Sequence, residues 1–161
     1  MAELPVINTS PLIFLTKGGF LDLLLLMGSS IIVPDAVAAE IQAYGEIDVT
    51  VVALNNTDWL VVQETPPVPN VIQNWDLGQG ESAVLTWGYV NPGTEVILDD
   101  LAARRCAAAL GIPVRGTLGI VITAKQRGVI PTARPVLEQL RLCGMYLSDR
   151  VINQSLALVG E

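Results

Sequence analysis

Glu95-Val96-Ile97-Leu98-Asp99-Asp100-Leu101-Ala102-Ala103-Arg104 reads as a strand that passes into a helix across a pair of acids. The apolar run is short and does not alternate with polar residues, as expected of a strand buried on both faces. Aspartate is favoured at a helix start and glycine just past a helix end, so a helix is predicted over Leu101–Leu110, closed by Gly111. Similar short apolar runs occur at Leu4–Ile7, Ile31–Val33, Trp59–Val62 and Ile112–Val114. Helical stretches separate them: Leu12–Met27, divided by Gly18-Gly19, then Ala36–Tyr44, Ser82–Tyr89, Leu118–Arg127, 134–142 and 148–158. Thr9 or Ser10 is expected to cap the first helix, with Pro11 in its first turn. Residues 45–58 are mixed and polar, and Thr65–Asp76, with three prolines, reads as a surface connection. Strands alternating with helices predict a three-layer α/β/α sandwich around a mostly parallel central sheet, as one domain over 1–161.

The composition limits the chemistry. The 161 residues are 51% hydrophobic and 16% charged, which excludes disorder. There is no histidine, so a Ser-His-Asp triad, a Cys-His pair and a histidine metal site are all excluded. Cys106 and Cys143 are too few for a zinc cage or a disulfide framework. Catalysis would have to run on carboxylates, hydroxyls, lysine or arginine. The first ten residues lack the basic start of a secretory signal. The longest apolar stretch, Phe20–Met27, is interrupted by Asp22 and far short of the ~20 residues that span a membrane. A cytoplasmic protein without a membrane segment is therefore expected. The mean hydropathy of +0.50 and the apolar residues of Phe20–Met27 and Arg134–Leu142 predict a two-fold homodimer.

Charge is segregated along the chain. Residues 1–103 hold 13 acids against one base, Lys17, while residues 104–161 hold eight bases against three acids. Two solvated faces would account for this, as would an acidic cleft with a basic rim.

In parallel α/β sheets ligands bind beyond the carboxyl ends of the strands. Two such ends are polar here: Asn8-Thr9-Ser10 after the first strand and Asp99-Asp100 after Leu98. Adjacent acids are costly unless a cation offsets them, and their oxygens suit Mg²⁺ or Mn²⁺. Capping of the following helix is the plainer role for one of the two. Glu40 lies amid alanines on a predicted helix, where a solvated acid is the commoner reading. Glu81 follows Gly78 and Gly80 at a helix start, where a carboxylate is favoured anyway. Together these positions supply the oxygens of a histidine-free metal site.

The order Val6-Ile-Asn-Thr-Ser-Pro-Leu-Ile13, Val37-Ala-Ala-Glu-Ile41, Leu77-Gly-Gln-Gly-Glu-Ser-Ala83, Leu98-Asp-Asp-Leu-Ala-Ala-Arg104 and Gly116-Thr-Leu-Gly119 resembles the PIN-domain family. More closely it is similar to a prokaryotic PIN-like subfamily of predicted nucleic-acid-binding proteins, and the resemblance runs from about 5 to 160. It implies a divalent-metal-dependent endoribonuclease of the kind found as the toxin of toxin–antitoxin pairs, with an RNA substrate and a small antitoxin protein as partners. The family's four acidic positions fall on Asn8, Glu40, Glu81 and Asp99 or Asp100, and its small hydroxyl residue on Thr9 or Ser10. Asn8 departs from the usual aspartate, which removes one negative charge from an ion site. The implied chemistry has Mg²⁺ or Mn²⁺ on Glu81 and Asp99 or Asp100, with Glu40 and Asn8 beside it, acidifying a water and neutralising the scissile phosphate. Arg104, Arg105 and Arg115, with the hydroxyls of Thr9 and Ser10, are candidates for phosphate contacts, and Trp59, Trp75 and Trp87 for base stacking, although core packing is the commoner use of tryptophan. The competing reading is a catalytically weak or inactive PIN-like module that binds RNA or a protein partner. A phospho-acceptor receiver domain fits less well, because its acid pair follows the first strand.

Overall fold

The computed structural model describes residues 4–161. Five parallel strands form one sheet: β1 (Val6–Ile7), β2 (Ile31–Pro34), β3 (Leu60–Gln63), β4 (Val96–Ile97) and β5 (Val114–Arg115), in the spatial order β3-β2-β1-β4-β5. Every residue of β1, β2 and β4 is buried, which requires helices on both faces of the sheet centre. β3 and β5 are the edges; Leu60 is buried, and the other residues of both strands are partly or fully exposed. The register pairs Val6 with both Ile32 and Val96, and Ile7 with Ile97. Backbone bonds from Val6 N–H to Glu95 O and from Leu98 N–H to Arg115 O carry the ladder past both ends of β4.

The helices are α1 (Thr9–Gly18), α2 (Asp35–Gln42), α3 (Val49–Asn56), α4 (Asn70–Gln73), α5 (Gln79–Val90), α6 (Leu101–Ala109), α7 (Thr117–Gln126), α8 (Arg134–Leu142) and α9 (Asp149–Ala157). α5 packs on β1, β2 and β4, with α2 and α6 against it. α1 packs with α3 and α8, and α7 with α8 and α9. One continuous apolar core joins these elements.

The structure departs from the sequence expectation in four places. Residues 49–56, read as having no element, form α3: the Asp48 carboxylate accepts from Thr50 N–H and Val51 N–H, and Val51 and Leu54 are buried. Tertiary burial overrides the low helix propensity of Val49-Thr50-Val51-Val52. The Pro-rich connection contains the single turn α4. Leu21–Leu26 is a 3-10 helix rather than an α-helix, following Gly19, which ends α1 in the left-handed conformation at φ 82°. Asn8, not Thr9 or Ser10, occupies the N-cap position of α1, without a side-chain cap bond; Thr9 is already helical and turns its hydroxyl to another element.

The residues that motivated a dimer mostly face inward. Leu23, Leu24, Val136, Leu137 and Leu140 are buried in the core of this one chain, whereas Leu25 and Leu142 are exposed. No helix among the described residues is long and apolar enough to cross a membrane.

Candidate functional site

The strand order places a topological switch point between β1 and β4: the chain runs from β1 toward β2 on one side and returns to β4 on the other. A crevice opens at the carboxyl ends there, and it is where ligands bind in open α/β sheets. Asn8 leaves β1 at this point, and Asp99 and Asp100 follow β4. α5 crosses the sheet centre and starts at the same end, which brings in Glu81 from its first turn.

Four of the site side chains are linked in two pairs, Asn8 with Glu81 and Thr9 with Glu40. Asn8 Nδ2 donates to Glu81 Oε1 at 3.4 Å. Glu40 reaches over from α2, where Oε2 accepts from Thr9 Oγ at 2.5 Å and Oε1 from Gly80 N–H at 3.1 Å. Both Glu40 oxygens are therefore held, and its position is set by α1 and α5 together. Gly78 and Gly80 make room for these acids. A Cβ on Gly78 would stand 2.5 Å from Glu81 Oε2, and one on Gly80 2.7 Å from Glu40 Oε1 and 3.1 Å from Asn8 Oδ1. The Gly-Gln-Gly-Glu stretch thus supplies a carboxylate and the space for two of them.

Asp99 and Asp100 have separate duties. Asp99 Oδ1 accepts from Thr117 N–H at 2.8 Å and Oδ2 from Thr117 Oγ at 2.6 Å, so it caps α7 from across the sheet end. Asp100 Oδ2 accepts from Ala103 N–H at 2.9 Å and caps α6. The plainer reading, capping of the helix that follows, is met by Asp100 alone; Asp99 serves α7, a helix that the local sequence did not connect with it.

Glu81, Asp99 and Asp100 share a groove of about 870 Å³ with Ser10, Arg104 and Arg115. Glu40 and Thr9 line a second hollow, of about 360 Å³, with Ala43 and Tyr44. Glu81 lines the first hollow, and Thr9, next to Asn8 in the chain, lines the second. Two expected phosphate contacts are engaged elsewhere: Arg115 bridges to Glu95 at 3.2 Å and donates to Thr123 Oγ at 2.6 Å, and Thr9 serves Glu40. Arg104 donates to Leu98 O through one nitrogen and keeps its side chain in the groove, while Ser10 is exposed there. Arg105 is exposed on α6 outside the groove lining. Trp59 and Trp87 pack against the core, and neither they nor Trp75 line the groove.

The donor set can be tested against a divalent ion. Asn8 is 2% exposed, and its Oδ1 is buried without a hydrogen-bond partner. An orphaned buried carbonyl oxygen beside Glu81 and Glu40 is what a cation would satisfy. Among the described residues no group of three or more acids or cysteines is close enough to hold an ion. The arrangement therefore fits a hard ion that keeps much of its water and takes one or two protein oxygens, as Mg²⁺ does, and does not fit a closed cage.

Several participants escaped the sequence reading. Thr117 stands there only within the Gly116–Gly119 motif, and Gly80 only within Leu77–Ala83 as a neighbour of Glu81, neither with a role of its own. Tyr44 and Tyr146 line the two hollows and carry no local motif. A family model described as a PIN domain matches residues 4–161. No curated protein and no solved structure matches the chain significantly.

Proposed function

The chain belongs to the PIN-domain family, a nuclease fold, and on that premise we propose that it is a divalent-metal-dependent endoribonuclease hydrolysing RNA phosphodiester bonds. The observation that supports this reading is the buried, unpartnered Asn8 Oδ1 beside Glu81 at the switch point of the sheet. In this proposal Asn8 and Glu81 hold Mg²⁺ or Mn²⁺, with Glu40, Asp99 and Asp100 acting through water and by charge. When bound, the ion supplies charge neutralisation and an acidified water.

The chain's own residues do the rest. Thr9 and Gly80 fix Glu40, whose charge then faces the site without side-chain search. Asn8 orients Glu81. Arg104 and Ser10, which line the same groove as Glu81, Asp99 and Asp100, contact the substrate's phosphate oxygens in this proposal. The finer parts of the proposal are one domain over 1–161, a cytoplasmic location, the toxin role and a small antitoxin partner, which rest on sequence reading and resemblance. The homodimer retains only Leu25 and Leu142 as exposed support from the segments that suggested it.

A second reading has its own observation. Asn8 in place of an acid and the lack of three gathered acids favour a catalytically weak or inactive module that binds RNA or a protein partner. A fluorescent RNA cleavage assay in Mn²⁺, with and without chelator, separates the two. Active wild type, silenced by chelator and by Glu81→Gln, supports the nuclease. RNA binding without cleavage in any divalent metal establishes the second reading, and cleavage untouched by chelator overturns both.

A further inference from the structure

The side-chain amide of Asn8 turns its acceptor toward other acceptors. Nδ2 donates to Glu81 Oε1 at 3.4 Å, a long bond, while Oδ1 is buried without a partner. Oδ1 lies 3.1 Å from the point where a Cβ on Gly80 would stand. Glu40 Oε1 and Oε2 lie 2.7 and 3.1 Å from that same point. One amide oxygen and two carboxylate oxygens therefore crowd around Gly80. The donors at that spot are already committed: Gly80 N–H gives its proton to Glu40 Oε1, and Thr9 Oγ gives its own to Oε2.

A half-turn of the amide about its Cβ–Cγ bond exchanges oxygen and nitrogen with almost no change of shape. It would bring the NH₂ to the Glu40 carboxylate, which has lone pairs left after two bonds. It would also bring the carbonyl oxygen to Glu81, where the NH₂ now stands. Oxygen facing carboxylate is repulsive on its own and favourable with a divalent cation between them. The amide thus has two arrangements, each with one good contact and one poor one, and a cation improves only the second. A ligand shifts such an equilibrium by its differential affinity for the two arrangements.

We propose that Asn8 is a two-position amide that turns over when a divalent ion enters the site. Its NH₂ holds Glu81 in the first position, as described above. In the second the NH₂ passes to Glu40, and Oδ1 joins Glu81 on the ion. Glu40 is then a positioning residue that acts on the ion through Asn8. The proposal rests on the reading of this site as a divalent-metal site. An aspartate at position 8, with two equivalent oxygens, has no need of the turn.

The test uses the full chain with its asparagines labelled with ¹⁵N, in chelator and in saturating Mg²⁺. The Asn8 side-chain signals are those that disappear in Asn8→Asp. In chelator their NH₂ protons are expected to show nuclear Overhauser contacts to the Glu81 side chain, and in Mg²⁺ to the Glu40 side chain instead. Calorimetry with Mg²⁺ supplies a second readout. Glu40→Ala is expected to weaken binding about tenfold in the otherwise wild-type chain, the scale of one lost hydrogen bond to a charged group. In the Asn8→Asp background the same substitution is expected to matter much less, because no NH₂ remains for Glu40 to receive. An NH₂ that stays on Glu81 while Mg²⁺ binds, or an equal loss in both backgrounds, overturns the proposal. The two readings fail separately. Mg²⁺-dependent RNA cleavage by a chain whose amide never turns sinks this proposal alone. A turned amide in a chain that never cleaves RNA sinks the nuclease alone, and the absence of any Mg²⁺ binding sinks both.

Discussion

Thr117 gives both its backbone N–H and its hydroxyl to the carboxylate of Asp99, 18 residues away, at 2.8 and 2.6 Å. Thr117 is fully buried, so neither group has water as an alternative partner. An acid in a site that resembles a metal centre is thus also the cap of α7.

Asp99→Ala is expected to cost about 2 kcal/mol of stability, because it leaves two buried donors unpaired. Asp99→Asn is expected to cost less than about 1 kcal/mol, since its amide can accept from the N–H and donate to Oγ. Asp100→Ala removes only the α6 cap and is expected to cost about 1 kcal/mol. Urea denaturation measures all three. Equal stability of Asp99→Ala and wild type would show that the cap contributes nothing. Asparagine is accordingly the substitution that reports on chemistry at position 99 with the fold kept.

Gly80→Ala is expected to divide stability from site function. Its new methyl would meet the Glu40 carboxylate at 2.7 Å, the mobile end of a side chain, so the fold can yield there. Alanine is a better helix former than glycine by up to about 1 kcal/mol, which offsets the crowding. Thermal melting should change little, while Mn²⁺ affinity falls because Glu40 and Asn8 are pushed aside. A variant that binds Mn²⁺ as wild type does would show that Glu40 has no part in the site.

Asn8→Asp is expected to lower stability in chelator and to tighten divalent binding. Glu81 Oε1 lies 3.4 Å from Asn8 Nδ2, so the substitution replaces a hydrogen bond with two facing carboxylates. Mg²⁺ or Mn²⁺ relieves that repulsion, and the rise in melting temperature on adding the ion should exceed that of wild type. An equal rise in both proteins would mean that residue 8 does not face the ion.

Glu161 ties the start of α8 to the rest of the domain. Hydrogen bonds from Ala133 N–H and, more weakly, Arg134 N–H hold its carboxyl below the ordinary glutamate value of 4.5. A carboxyl depressed by folding adds stability above its unfolded pKa, and that stability is lost as pH falls through the folded one. Glu161→Gln should therefore melt below wild type at pH 7, and the gap should close as pH falls below about 4. A gap that is constant with pH would exclude the carboxylate as its source.

Local sequence determined a good deal. The short apolar runs at 31–33 and 95–98 fall on the buried strands β2 and β4, because a two-sided buried strand needs no other pattern, and the run at 59–62 falls on the edge strand β3. Asn8 and Asp99 were legible as site candidates because a strand end in a parallel sheet is where backbone stops and ligands begin. The helix at 49–56 was not legible: its β-branched residues disfavour a helix locally, and burial of Val51 and Leu54 decides otherwise. Which partner each acid takes was also beyond local reading. Glu40 finds Thr9 and Gly80, and Asp99 finds Thr117, only because the sheet order brings α1, α2, α5 and α7 to one end. The exposure of Tyr146 is tertiary in the same sense. It is held out by the burial of Met145 and Leu147 on either side of it, which the fold decides, and by the hydrogen bonds of Arg141 to Leu147 O and Asp149. Periodicity is a property of neighbours in the chain, whereas hydrogen-bond partners 18 to 73 residues apart are set by packing alone.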